Sequence, residues 1–296
     1  MLILLDLHPI SYDDKDMINY YSKFMTTLSY EYSFNSLYLW RDLCNTKVGM
    51  LYDSLIIQKS DDRKGSFFMM PYYKDIPSLY KAIDYLKYRY NNYIYLLGDI
   101  DDDYLKLLLD NYQLEIQSNE DCFEYVYLTE DLINLKGNKY HKKRNHYNNF
   151  TKLYNYTICS IDNEKTIKDC IDLLDKWESK KCLCSKELLM EPTAIKSILF
   201  SLENLSLKSI AVYVDGNLAG FSIGEKFNNS AIIHIEKCNT DYRGIYAFIN
   251  NEFLKLHFKD TIYVNRQEDC GSDGLQQSKE SYHPHLVLKK YLIKIK

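Results

Sequence analysis

The chain has 296 residues, 37 Lys and Arg against 41 Asp and Glu, and a net charge of −4. That length suggests two domains or one large one, and 46% hydrophobic residues with 15% aromatics build a sizeable core, which excludes a mainly disordered chain. The near-neutral balance argues against a dedicated nucleic-acid coat while leaving room for a local basic patch, and no apolar run approaches the roughly 18 residues of a membrane-spanning helix.

The opening Met1-Leu-Ile-Leu-Leu-Asp6 lacks a basic flank and a cleavage site, so it reads as a first strand or packing segment rather than a signal peptide. Tyr12 to Ser29 carries apolar residues at helical spacing, and Phe34, Leu37, Tyr38 and Trp40 form a short aromatic helix. Three strands follow at Val48–Tyr52, Leu55–Gln58 and Ser66–Pro71, the first two joined by a turn at Asp53-Ser54. Pro77 to Tyr90 is a helix with Pro in its first turn. Asn92–Leu97 is a strand, Asp101–Asn111 a helix and Glu124–Leu128 a strand.

Thr129–Gly137 is the seam, which gives units of 1–130 and 131–296. Beyond it, Lys139–Tyr154 is a basic helix, Tyr156–Ser160 a strand, and Glu164–Lys180 and Pro192–Leu202 are helices. Strands at Ser209–Val214, Leu218–Lys226 and Ser230–Lys237 form a meander with a strong hairpin turn at Asp215-Gly216 and a weaker one at Asn228-Asn229. Ile245–His257 is a helix, Thr261–Asn265 a strand, Gly274–Ser281 a helix and Leu286–Ile293 a final strand. Each half thus reads as a mixed α/β plan, α+β in character, and resembles the GNAT acyltransferase plan occurring twice.

Four places concentrate chemistry in the second half. The run Leu135 to His146 sets Lys136, Lys139, Lys142, Lys143 and Arg144 close together, with Lys139, Lys142 and Lys143 on one helix face. Such a face suits a phosphate-rich ligand, with Arg144 as a bidentate clamp, and equally suits a solvated basic helix. On the strand Ser230–Lys237, His234 and Glu236 share a face, as a general base and its relay or as two side chains turned to solvent. Arg243 and Gly244 at the next helix start offer an anion site, a weak motif on its own. Asn265, Arg266, Glu268 and Asp269 follow a strand end, where α/β sheets place ligands, although an Asp- and Gly-stabilised turn reads the same way. Lys279 and Tyr282 share the next helix face, and Tyr282 suits protonation of a leaving group or simple packing, in a chain with 29 Tyr.

Phosphate-loop, dinucleotide, nucleophile-elbow and zincin motifs are all missing. The eight Cys are scattered, and Cys182-x-Cys184 lacks a His partner at zinc spacing, so no metal is expected. Without a secretion signal, reduced thiols and a cytoplasmic location, at most peripheral to a membrane, are the expectation.

The sequence resembles the family named for the C-terminal domain of phosphatidylglycerol lysyltransferase, in its short stand-alone bacterial form. The resemblance lies in Phe34, Leu37, Tyr38 and Trp40, in Leu135 to Asn145 with Phe150, and in Trp177, Glu191 and Asp215-Gly216. It continues through Gly220-Phe-x-Ile-Gly224, His234-Ile-Glu-Lys237, Asn265-Arg-x-Glu-Asp-x-Gly271, Gly274-Leu275 and Lys279-x-Ser-Tyr-His-Pro284. It implies two packed GNAT-like units. Membrane-bound relatives move an aminoacyl group from charged tRNA to a lipid head group, and more distant ones act on peptidoglycan precursors. The sequence shows no counterpart of the transmembrane half, and it departs from the GNAT phosphate loop at Asp241 and Tyr246.

The leading expectation is therefore an acyl- or aminoacyl-transferase whose donor is aminoacyl-tRNA or acyl-coenzyme A, with an amine or hydroxyl acceptor on a small molecule, lipid head group or peptide. Lys139, Lys142, Lys143 and Arg144, with Arg243 and Gly244, would hold phosphates. Glu236 with His234 would take the acceptor proton, Asn265, Arg266, Glu268, Asp269 and Lys279 would orient substrates, and Tyr282 would protonate the leaving group. The first unit is expected to be scaffold, and the chain a monomer or weak dimer. The alternative is a non-catalytic RNA- or phosphate-binding module on the same fold.

Overall fold

Two seven-stranded sheets form among the described residues of the computed structural model, which are 4–62, 64–179 and 186–296. In chain order the elements begin with β1 (His8–Pro9), α1 (Lys15–Ser22), α2 (Phe34–Leu39), β2 (Lys47–Leu51), β3 (Ser54–Asp61) and β4 (Gly65–Phe68). Then come α3 (Ile76–Arg89), β5 (Leu97–Ile100), α4 (Asp102–Leu109), β6 (Leu114–Ser118), β7 (Glu124–Leu128), α5 (Thr129–Asn134) and α6 (His141–Leu153). Next are β8 (Tyr156–Cys159), α7 (Glu164–Ser179), α8 (Lys186–Leu199), β9 (Lys208–Val214), β10 (Asn217–Phe227) and β11 (Ser230–Cys238). The chain finishes with α9 (Ile245–His257), β12 (Tyr263–Asn265), α10 (Asp273–Glu280), β13 (Leu286–Leu288) and β14 (Tyr291–Ile295). Cys182 and Cys184 lie outside the described residues.

The chain divides into two units, one of Met1–Glu124, Glu268–Ser272 and Val287–Lys296, the other of Tyr125–Gln267 and Asp273–Leu286. Both sheets mix parallel with antiparallel neighbours. The fold is the mixed α/β arrangement, with one mixed sheet in each unit, that the element order suggests.

In the first unit the sheet runs β1-β2-β3-β4-β5-β14-β6. Ile56, Ile57, Phe68, Leu97 and Ile293 of its strands and Leu79, Ile83 and Leu86 of α3 are all buried. Several expectations are corrected here. The helix over Tyr12–Ser29 is helical over Lys15–Ser22, after a 3-10 turn at Tyr12–Asp14. Farther on, Thr27 Oγ1 donates to Asp101 Oδ2 and Ser29 Oγ to Glu124 Oε1, each at 2.6 Å, so those hydroxyls serve tertiary bonds. The first hairpin turns at Tyr52 and Asp53, both left-handed, one residue earlier than predicted. The strand predicted at Asn92–Leu97 forms instead at Leu97–Ile100. Gly98 belongs there because a Cβ would collide with the Phe67 ring, and the buried Asp99 pairs with Lys59 at 3.1 Å.

The second sheet runs β13-β7-β12-β11-β10-β9-β8. Phe150 of α6 and Phe248 of α9 stack with centroids 4.4 Å apart, Tyr156 of β8 meets Phe248 edge-on at 4.6 Å, and Val212, Ile233 and Val264 complete the core. Asn251 of α9 donates to the carbonyls of Leu132 and Ile133 at 2.7 Å and so satisfies the open end of α5.

The two halves exchange strands. β7, encoded by the first half, enters the second sheet, and β14 inserts between β5 and β6 of the first. The single final strand predicted at Leu286–Ile293 is therefore two short ones. The break falls at Lys290, which is 1% exposed and pairs with Glu124 at 2.6 Å. No prediction covered β6, whose residues are mostly exposed and carry little alternation.

Candidate active site

The meander of the second unit is set by its turns. Asp215 and Gly216 both take left-handed φ, at 47° and 80°, the pair that the tight β9–β10 hairpin needs. On β11 the register slips once. Ile223 opposes Ile235, Gly224 opposes Ile233, and His234 is the extra residue of a β-bulge. The two-residue alternation does not run through a bulge, which corrects the expectation that His234 and Glu236 work side by side. His234 Nε2 lies 2.9 Å from Glu225 Oε1, and the Gln267 amide meets its Nδ1 at 3.3 Å. Glu236 has other partners.

Those partners define the cluster. Glu236 Oε1 accepts from Arg266 Nη2 and Oε2 from Asn250 Nδ2, each at 3.0 Å. The Arg266 guanidinium lies 4.7 Å from the centre of the Tyr282 ring, and Lys143 Nζ lies 3.7 Å from the same centre. Arg266 Nη1 is buried and makes no hydrogen bond of good geometry among the described residues, and the guanidinium also interacts with the Tyr282 hydroxyl. Burial pushes the Tyr282 phenol up to about 12, against the opposing Arg266 charge. Burial, reinforced by the Arg266 charge and opposed by Glu236, brings the Lys143 ammonium down to about 8. The site thus holds a fixed cation with a buried donor, a protonated phenol and an amine that gives up its proton at about pH 8.

On the other side of the residue alternation, Lys237 pairs with Glu191 of α8 at 2.8 Å and lies 3.7 Å over the Trp177 ring of α7. Asn250, Glu225 and Gln267 were not predicted. Asn250 stands on an α9 face whose spacing signals packing alone, and Glu225 is visible only once the bulge is known.

The remaining predicted residues are placed differently. Lys139 pairs with Asp131 at 3.1 Å, and Arg144 Nη1 donates to the carbonyls of Leu135 and Gly137, bracing the entry to α6. Lys142 and Arg243 are exposed, and the Arg243 amide donates to the Tyr154 hydroxyl at 3.0 Å. Gly244 has φ 92°, and a Cβ there would collide with the His146 carbonyl. Its missing side chain therefore admits helix α6, which corrects the expectation that it admits a phosphate. Asn265 Oδ1 accepts from the Gln267 amide at 2.8 Å, and Lys279 Nζ donates to the carbonyls of Arg266 at 2.6 Å and Gln267 at 3.0 Å, so both hold the backbone beside Arg266. Glu268 and Asp269 belong to the first unit. There Asp269 Oδ1 accepts from the Gly271 amide at 2.9 Å.

Among the described residues no helix is long and apolar enough to cross a membrane. An uncharacterised protein of Mycoplasmoides gallisepticum is 30% identical over 192 residues, 64% of this chain, and the chain spans 62% of that relative's length. A conserved protein of unknown function from Bacteroides thetaiotaomicron superposes with a TM-score of 0.90 at 27% identity, covering 99% of this chain and all of that one. The C-terminal domain of an Agrobacterium fabrum protein described as a lysylphosphatidylglycerol synthetase superposes with a TM-score of 0.63 at 15% identity, over 96% of this chain and 92% of that one, a likeness of fold. The profile of the family described as phosphatidylglycerol lysyltransferase, C-terminal, matches residues 23–294. The chain belongs to the phosphatidylglycerol lysyltransferase C-terminal family.

Proposed function

We propose that the second unit transfers an aminoacyl or acyl group from aminoacyl-tRNA or acyl-coenzyme A to an amine or hydroxyl acceptor. Family membership and the GNAT-like fold support an aminoacyl transferase. The observation that supports a place on the molecule is Arg266 Nη1, a buried donor with no hydrogen bond of good geometry, on a guanidinium held by Glu236 beside the Tyr282 hydroxyl. A buried unpaired N–H costs about 1–3 kcal/mol, so it fits an oxygen brought by a ligand. Attack on an ester or thioester carbonyl puts negative charge on that oxygen, and a fixed charged donor stabilises the charge as it develops. Tyr282, still protonated at neutral pH, supplies a proton to the departing oxygen or sulfur. Its ring lies against both cations, 4.7 Å from the Arg266 guanidinium and 3.7 Å from Lys143 Nζ.

Phosphates of the donor fall to the exposed cations Lys142 and Arg243, because Lys139 and Arg144 are engaged elsewhere. A purely binding role is the weaker reading, since that engagement leaves no continuous basic face on α6. A lipid acceptor would bring the chain to a membrane surface.

The test offers radiolabelled lysyl-tRNA, or acetyl-coenzyme A, with phosphatidylglycerol vesicles or lysine amide as acceptors. Transfer is expected from one of the two donors. Arg266→Lys, which keeps a charge for Glu236 but loses the fork, should lower it about 100-fold. Transfer from neither donor to either acceptor, or full activity of Arg266→Lys, counts against the proposal.

A further inference from the structure

We infer that Lys143 is the group that takes the acceptor's proton at this site, and that Glu236 is a positioning residue for Arg266. The inference rests on the transferase reading and replaces the expected role of Glu236. Glu236 is about nine-tenths buried, and its oxygens are turned one to Arg266 and one to Asn250, a placement that holds the guanidinium while leaving one lone pair on each oxygen. Lys143 is half-buried, rests on the face of the Tyr282 ring, and has no hydrogen bond or ion pair among the described residues.

Its position is fixed by the fold. Helix α6 reaches the cluster because Gly244 lets the His146 carbonyl close on the α9 start, and because Phe150 stacks on Phe248. The groups that face Lys143 are Arg266 beyond β12, Glu236 on β11, Tyr282 beyond α10, and His146 one turn along α6. Arg266 disfavours the ammonium and Glu236 favours it, while burial decides for the neutral form to be reachable near pH 8.

The step then balances. An acceptor ammonium gives one proton to the neutral Lys143 Nζ and becomes a free amine. The amine nitrogen attacks the acyl carbonyl, a C–N bond forms, and the C–O or C–S bond to the donor breaks. Its electron pair leaves on oxygen or sulfur, which takes a proton from Tyr282. The phenolate is reprotonated through water by the proton lost from the new amide nitrogen, and Lys143 returns its own proton to water.

The test titrates the 13Cε resonances of lysine-labelled protein, with Lys143 assigned by its disappearance in Lys143→Arg. A midpoint near 8 is expected, about two units below the usual lysine value. A midpoint at the usual value overturns the inference whatever the turnover. In transfer from lysyl-tRNA or acetyl-coenzyme A, the rate should rise with pH to a plateau above about 8. Lys143→Arg should lose about 100-fold in rate while lysyl-tRNA binding changes by less than about twofold. Glu236→Gln should slow the reaction but keep the pH limb, its midpoint moved down because the carboxylate no longer favours the ammonium. Wild-type activity in Lys143→Arg, or loss of the limb in Glu236→Gln, overturns the inference and leaves the transferase reading intact. A lowered midpoint in a protein that transfers from neither donor overturns both.

Discussion

Glu236 and Arg266 meet at 3.0 Å across two parallel neighbours, one on β11 and one just past β12, and both side chains are about nine-tenths buried. Two charges so placed are stable only together, since each is the other's replacement for water. Glu236→Leu should therefore cost about 3–5 kcal/mol in urea unfolding, by stranding the guanidinium. The double replacement Glu236→Leu with Arg266→Met should recover most of that loss. A double variant as unstable as the single one would mean that the pair's geometry, and not its charge balance, supports the unit.

Lys143 should leave a mark on stability as well as on rate. Its native ammonium is brought down to about 8 while the unfolded one keeps its ordinary value near 10.4. Below pH 8 both states are protonated and the native state bears the cost of a half-buried charge. Between about pH 8 and 10.4 the unfolded state binds more protons, so stability rises with pH. Lys143→Met should remove this rise, seen as a shrinking difference between variant and wild-type unfolding free energies from pH 7.5 to 10. A difference that stays flat over that range would contradict the shift.

Gly244→Ala tests the seat of α6. The left-handed φ and the collision with the His146 carbonyl act together, and about 2–4 kcal/mol of destabilisation is expected. Chemical unfolding measures it, and hydrogen exchange should show α6 loosening before β10 and β11. An unchanged midpoint would mean that α6 can shift at no cost.

In the first unit, Lys290 and Glu124 form a buried pair at 2.6 Å, joined by Ser29. Lys290→Met should cost about 3–5 kcal/mol, and Ser29→Ala about 1–3 kcal/mol through the acceptor it leaves short of a partner. Thermal or urea unfolding reads both. Equal effects from the two substitutions would show that the hydroxyl, rather than the ion pair, sets the bend between β13 and β14.

Much of this arrangement was legible beforehand. The β9–β10–β11 meander follows from Asp215-Gly216 and from apolar runs whose type is unambiguous, and α3 from its Pro and periodic Leu79, Ile83 and Leu86. Arg266, Tyr282 and Lys143 stood out by residue type near strand or helix ends. What escaped was anything decided by a partner far along the chain. The bulge at His234 depends on how β11 lies against β10, and no local pattern announces it. The break at Lys290 depends on Glu124, so a charged residue inside an apolar run read as a strand position when it marks a bend. Arg144 reads as a phosphate clamp until the loop carbonyls it braces are in place.

The strand exchange has a consequence for how the protein is made. β5 and β6 have no hydrogen-bonded neighbour on their facing edges until residues 291–295 arrive, so the sheet encoded first is completed last. During synthesis the emerging first unit must wait with two open edges while the whole second unit is translated, a state in which unpaired strands invite wrong partners. The sparse apolar content of β6, whose residues beyond Leu114 are all exposed, makes that wait less hazardous. It also means that a chain ending anywhere before Leu286 has neither sheet at full strength, one lacking its inserted strand β14 and the other its edge strand β13.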